Sequence, residues 1–152
     1  MNQRKFACDF YSVWAQGTAL YVKWSADHGI SYPELSVLYA LLEKGPVTQK
    51  TISALYGLPK QTVNNCIRCM QKQGYIQLET GQHDKREKLV VLTEEGDKYA
   101  QSTLAPLFKI EEYVCRNIDS KKFLHAIETR DLFNTLFEKE MERSLSLFKD
   151  TP

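Results

Sequence analysis

Polar side chains suited to contacting DNA recur within residues 59–73. They are Gln61, Asn64, Asn65, Arg68 and Lys72. At about 100° of rotation per residue, they fall opposite an apolar stripe of Val63, Ile67 and Met70. Side-chain amides can form paired hydrogen bonds with adenine, and a guanidinium can do the same with guanine. The segment therefore predicts a helix whose polar side contacts base edges in duplex DNA.

Other residues of the same region suit contacts with the DNA backbone or the minor groove. Lys60 and Thr62, near the start of this helix, suit phosphate, and we also count Thr48 among the DNA-binding candidates. Lys85 and Arg86 lie in a polar loop, where a cationic tip can enter a minor groove. Asp84 beside them is expected to orient Arg86 through a charge-assisted hydrogen bond. For each of these residues, a solvated surface position is the alternative.

The cysteines raise the question of metal binding. Cys66 and Cys69 form a C-x-x-C motif, but no second pair follows at zinc-finger spacing, and His83 is the only extra ligand nearby. We therefore favour packing over metal binding and predict no metal site. The sequence also lacks a Ser-His-Asp pattern, a phosphate-binding loop and a metal-ligand cluster. We expect no enzyme activity and no cofactor.

Helix and turn signals place the polar residues in a recognisable frame. Residues 49–56 form a short predicted helix capped by Thr48, and Gly57 ends it before the helix at 59–73 begins. Another helix precedes this pair and begins at Tyr32-Pro33-Glu34. Residues 75–79 and 88–92 follow as strands joined by a charged loop. This order predicts a mainly α fold, a winged helix-turn-helix with a small β-hairpin wing.

Long apolar helices flank that frame. One is predicted at 6–26, one runs from the Thr93 cap toward Cys115 with a kink at Pro106, and one covers about 129–149; residues 118–127 stay unassigned. Their large apolar residues exceed what so small a core can bury. They include Phe10, Trp14, Phe133, Phe137 and Phe148. Burial in a two-fold interface would stabilise them, so we expect a homodimer.

Charge is unevenly distributed in a chain of 152 residues with a net charge of +1. Residues 48–92 contain seven basic and three acidic residues, a net charge of +4, and the remainder carries −3. This pattern excludes a uniformly basic DNA-binding protein but fits a locally basic one. We see neither a membrane span nor a signal peptide, so we expect a cytoplasmic protein without a membrane partner.

Two motifs resemble a known family. The pattern Gly74-Tyr75-Ile76, Asp84-x-Arg86-x-x-x-Val90-x-Leu92-Thr93 and Gly96 resembles the wing of the MarR (multiple antibiotic resistance regulator) family, and residues 58–65 resemble its recognition helix. The resemblance implies a single MarR-like unit over 1–152, with a winged part at 32–96 and dimerisation helices at 1–31 and 97–152. It also implies an obligate homodimer on pseudo-palindromic double-stranded DNA, usually as a repressor.

The mode of control stays open at this point. The resemblance implies loss of DNA affinity on binding a small phenolic ligand or on oxidation of a thiol. An aromatic-lined pocket between the dimer helices and the winged helix would take a small aromatic effector. Alternatively, Cys8 in the first helix would act as a redox sensor. A further alternative is a winged-helix protein-interaction module that no longer binds DNA.

Overall fold

The structure is a computed structural model that describes the backbone of residues 2–81 and 87–149, with side chains up to residue 145. The chain divides after Leu107 into two compact units, which we describe separately. Within the described ranges, no helix combines the length and apolar character that a bilayer span requires.

The first unit is a winged helix-turn-helix preceded by a long helix. Its elements are α1 (Gln3–Asp27), α2 (Tyr32–Lys44), β1 (Val47–Thr48), α3 (Gln49–Tyr56), α4 (Lys60–Lys72), β2 (Ile76–Thr80), β3 (Lys88–Leu92) and the first part of α5 (Glu94–Asn117). This order confirms the predicted mainly α fold with a small wing. The remainder of α5 and α6 (Ser120–Lys149) form the second unit.

Local capping explains where the helices of the first unit begin and end. The Ser31 hydroxyl accepts from the backbone N–H of Glu34 at 3.2 Å and starts α2, which begins at Tyr32 as predicted, with Pro33 as its second residue. The Thr48 hydroxyl accepts from the N–H of Thr51 at 3.1 Å and starts α3. Gly57, with φ of 62°, ends α3 in the left-handed region that favours glycine.

The sheet contains one strand more than the sequence predicted. β2 and β3 form the expected antiparallel hairpin, in register from Ile76 opposite Leu92 to Thr80 opposite Lys88. The two-residue β1 pairs with the other side of β3, which gives the order β1-β3-β2. A two-residue strand is too short to show alternation, which explains why the sequence did not reveal it.

The core fixes α4 against the rest of the first unit. Its predicted apolar stripe is confirmed, because Val63 and Ile67 are fully buried and Met70 is 1% exposed. Helices α2, α3 and α5 and strand β3 supply other fully buried large side chains. These include Leu35, Val37, Leu38, Ile52, Val90 and Leu104. With one side of α4 buried in this way, its opposite side is left to solvent.

A backbone junction joins the base of the wing to the start of α5. The N–H of Thr93 donates to the Tyr75 carbonyl at 3.0 Å, and the Thr93 hydroxyl donates to the Gly74 carbonyl at 2.6 Å. The same hydroxyl accepts from the N–H of Gly96 at 3.0 Å, as the predicted cap of α5. A Cβ on Gly96 would lie 1.8 Å from the Tyr75 carbonyl oxygen. We call these contacts of Gly74, Tyr75, Thr93 and Gly96 the wing-base junction.

The terminal helices are longer than predicted. α1 begins at Gln3 rather than residue 6, with the Asn2 side chain as its cap. In the second unit α6 begins at Ser120, so residues 120–127, which the sequence left unassigned, are helical. The Asp119 carboxylate caps α6 by accepting from the N–H groups of Lys121 and Lys122 at 3.1 Å each. α5 continues past Pro106 without ending there.

Two glycine substitutions, one at the wing-base junction and one in α1, should change the free energy of unfolding in opposite directions. Gly96→Ala should destabilise the protein by about 1–3 kcal/mol or more, because the new methyl group meets a backbone carbonyl that cannot move aside. Gly17→Ala is the matched control, because Gly17 lies inside α1 with nothing within 4 Å of the added Cβ. It should stabilise by about 0.5–1 kcal/mol.

Urea unfolding of both variants checks this expectation. An equal or higher free energy of unfolding for Gly96→Ala than for the wild type would contradict the close approach.

Candidate nucleic-acid interface

The polar side of α4 faces solvent as predicted. Gln61, Asn65, Arg68 and Lys72 are exposed, and Asn64 is half-buried beside them. The Gln61 side-chain amide donates to Asn65 Oδ1 at 2.9 Å, so the two amides lie one helical turn apart on the same face. We call the four exposed residues the α4 ridge. Its side chains can make hydrogen bonds outward without leaving a buried polar group unpaired.

The phosphate candidates Lys60 and Thr62 and the further DNA-binding candidate Thr48 lie in different settings. Lys60 is exposed at the first position of α4, which has Pro59 as its cap residue and no side-chain cap. Thr62 is half-buried and lines a small cavity beside the start of α2. The Thr48 hydroxyl is bonded to Thr51, at 3.1 Å to its N–H and 2.9 Å to its hydroxyl. Contact of each with DNA remains a prediction.

Only the base of the wing is described. On the hairpin, Lys88 Nζ donates to the Thr80 hydroxyl at 3.0 Å, and Gln77 donates to Glu79. Residues 82–86, with Asp84 and the cationic Lys85 and Arg86, lie outside the described residues. Their proposed roles at the tip remain predictions.

At the base of the wing lies an aromatic contact that the sequence did not predict. The Tyr75 and Tyr99 rings stack with their centroids 4.2 Å apart, and the Tyr99 hydroxyl donates to Glu34 Oε1 at 2.8 Å. Burial, followed by the hydrogen bond to Glu34, raises the pKa of Tyr99 to about 12. The phenol therefore remains a hydrogen-bond donor at neutral pH, and it connects the start of α2 with α5. Tyr75 was part of the wing motif, but no sequence signal pairs Glu34 with Tyr99.

The cysteines of α4 lie on the flank of the helix that faces the start of α2. Cys66 is half-buried, with its Sγ 3.9 Å from Met70 Sδ, and Cys69 is exposed. Burial, followed by the charge of Glu34 and by Cys69, raises the pKa of the Cys66 thiol to about 12. Cys8 and Cys115 are also free and exposed. A redox role for Cys8 remains a prediction.

A cleft with aromatic walls lies in the first unit between α1 and α2. Its volume is about 580 Å³, within the range of roughly 300–1,000 Å³ that holds small molecules. The aromatic lining residues are Trp14, Tyr21, Tyr32, Tyr39 and Tyr56. Among the described residues that line it, Glu43 is charged and none is basic.

Comparison with known proteins identifies the family. The model of the MarR family matches residues 28–87, which include α2, α3, α4 and β2. An uncharacterized HTH-type transcriptional regulator, YwoH of Bacillus subtilis, is 37% identical over 100 residues, which make up 64% of this chain and 72% of that protein. The chain belongs to the MarR family. It is a transcriptional regulator of that family, and the resemblance of its wing and recognition helix is confirmed.

Solved structures of other proteins share the fold. NMB1585, a MarR family regulator from Neisseria meningitidis, superposes with a TM-score of 0.79 at 27% identity, covering 95% of this chain and 99% of that chain. AbfR of Staphylococcus epidermidis gives a TM-score of 0.67 at 22% identity over 90% and 93% of the two chains. Staphylococcus aureus MarR in complex with salicylate and kanamycin gives 0.65 at 21% identity over 91% and 93%.

Proposed function

We propose that this MarR protein is a homodimeric, sequence-specific repressor that binds pseudo-palindromic double-stranded DNA. The α4 ridge carries the proposal, because it presents two amides, a guanidinium and an ammonium to solvent from a helix whose other side is buried. In a helix-turn-helix, this is the side that enters the major groove. Since such a protein must reach the chromosome, we also propose that it acts in the cytoplasm.

Local charge supports the same proposal. The whole chain has a net charge of only +1, whereas residues 48–92, which contain α4 and the strands of the wing, carry +4. Exposed lysines of this region, such as Lys50 and Lys60, suit phosphates. Each phosphate neutralised by a cation releases counterions, so affinity should fall steeply as salt concentration rises.

The α4 ridge predicts distinct effects for two substitutions. Arg68→Ala should weaken binding to a selected DNA fragment by about 1–3 kcal/mol, because a base contact is lost, and should relax specificity at one position. Lys72→Ala should weaken binding to all duplexes about equally and reduce the salt dependence by about one phosphate contact. Fluorescence anisotropy with fragments selected from random duplex DNA measures both effects.

Arg116→Ala is the matched control for these variants. Arg116 is also exposed but lies near the end of α5, in the second unit, where it pairs with Glu112 at 3.1 Å. Its loss should leave DNA affinity unchanged. If Arg68→Ala and Lys72→Ala also bind as tightly as the wild type, the DNA-binding proposal fails and a winged-helix interaction module becomes the better explanation.

We propose the dimer because large apolar side chains of α1 and α6 are exposed to solvent in the single chain. On α1, Tyr11, Val13, Trp14 and Leu20 are all at least half exposed, as are Leu132, Phe137 and Leu145 on α6. Phe10 and Phe133 are half-buried, and the side chain of Phe148 lies outside the described part of the chain. Single chains rarely leave so many large apolar groups exposed, and covering them contributes about 25 cal/mol per Å².

A double substitution on α6 tests the dimer. The wild type should sediment at twice the chain mass of 17.6 kDa at micromolar concentration. Leu132→Glu with Phe137→Glu should sediment as a single chain, because charges would be buried in the proposed interface. Leu55→Glu is the control, since Leu55 is an exposed apolar residue of α3. A wild type that sediments as a single chain would rule out the dimer.

The aromatic cleft supports control by a small effector. One related structure, that of Staphylococcus aureus MarR, contains salicylate and kanamycin; for this chain we infer a different ligand charge from its own lining. Five aromatic rings and Glu43, without a basic residue among the described lining, favour an aromatic cation. Glu43 also lies 3.5 Å from Lys44 Nζ, an exposed pair that a bound cation would displace at little cost.

Two ions of matched size test the charge preference of the cleft. Tetraphenylphosphonium should bind more tightly than tetraphenylborate by about 1–2 kcal/mol, roughly tenfold, because the ring faces attract a cation. Isothermal titration measures both affinities, and Glu43→Gln should narrow the difference between them. The cation should also lower affinity for the selected DNA fragment. Equal or tighter binding of the borate would refute an effector of this charge.

A further inference from the structure

The flank of α4 beside the ridge carries three sulfur atoms around one cavity. Cys66, Cys69 and Met70 line a cavity of about 240 Å³ together with residues of the start of α2. The motif that contains them is C-x-x-C followed directly by Met. The two thiols and His83 alone do not complete a set of metal ligands, and for this reason the sequence favours packing. The structure adds the thioether to the same cavity.

The spacing of the sulfur atoms suits a shared metal ion. With metal–sulfur bonds of about 2.3 Å, three sulfurs around one ion lie about 4 Å apart. Cys66 Sγ and Met70 Sδ are already 3.9 Å apart. Cys69 is one helical turn from Cys66, with a Cβ separation of about 5–6 Å, so rotation of its exposed side chain brings its sulfur to the same ion.

The set of donors selects the class of ion. Among the residues that the structure describes, no three His, Cys, Asp or Glu side chains come together as a metal site. Glu34 lines the cavity, but its carboxylate accepts the Tyr99 hydroxyl at 2.8 Å. Four-coordinate Zn²⁺ therefore lacks ligands here, whereas thiolate and thioether donors suit Cu(I).

We propose that Cys66, Cys69 and Met70 form a binding site for one soft monovalent cation of the Cu(I) class. Binding forms two metal–thiolate bonds and one metal–thioether bond, and it releases the two thiol protons to solvent without electron transfer. The half-buried Cys66 is costly to ionise alone, because burial raises its pKa. A cation bonded to the sulfur offsets that cost, since it compensates the negative charge.

Anaerobic Cu(I) titration against a chromophoric Cu(I) chelator tests the proposal. The parent protein is the double variant Cys8→Ser and Cys115→Ser, which lacks the other two free cysteines. It should retain one tightly bound Cu(I) per chain and release protons on binding. Cys69→Ser in this parent should abolish tight binding, and because Cys69 is exposed, the variant should remain folded. Anaerobic handling prevents disulfide formation.

The methionines provide a matched pair of variants. Removal of even an outer hydrogen-bond partner of a metal ligand lowers affinity about 10- to 100-fold, so Met70→Leu should lower Cu(I) affinity at least tenfold. This substitution conserves volume, which a core tolerates well. Met141→Leu is the control, because Met141 is exposed on α6. It should leave the affinity unchanged.

Two results would overturn the site. One is that the parent carrying both Cys66→Ser and Cys69→Ser binds Cu(I) as tightly as the parent itself. The other is an equal affinity of the Met70→Leu and Met141→Leu variants. Circular dichroism and urea unfolding of each variant confirm that the folded state is compared. The experiment uses no DNA, so its outcome is independent of the proposed regulatory function.

Discussion

The close approach of α5 to the backbone at Tyr75 is the constraint on which the winged helix depends. Here the chain leaves α4, forms the hairpin and returns, and Thr93 satisfies the carbonyls of Gly74 and Tyr75 at 2.6 and 3.0 Å. Only glycine at position 96 permits this approach, because a Cβ would overlap the Tyr75 oxygen. The end of α4, the base of the wing and the start of α5 therefore hold fixed positions relative to one another.

The buried side and the exposed side of α4 carry different kinds of residue. The buried stripe holds the helix against α2 and α3, and the ridge opposite it presents Arg68 and Lys72. Between them, one flank carries Cys66 and Cys69 toward the start of α2. A ligand on that flank would contact α4 without occupying the residues proposed to contact bases.

Local signals in the sequence predicted most of the winged helix. Thr48 as a cap and Gly57 as a stop defined α3, and the period of Val63, Ile67 and Met70 defined the buried side of α4. The sequence also contained an unused signal, the Asp119 cap of α6. β1 gave no signal, because two residues show no period. The contact of Glu34 with Tyr99 joins residues 65 positions apart, and no local pattern contains such information.

The edges of the small sheet have a consequence for solution behaviour. β2 is an outer strand, and its outward residues include Gln77 and Glu79, which bond to each other at 2.9 Å. The opposite edge, β1, is only two residues long. Short or charged edges are poor templates for another strand, so they protect a protein from aggregation through its sheets. Association through the sheet is thereby disfavoured, which agrees with the helix-mediated dimer proposed above.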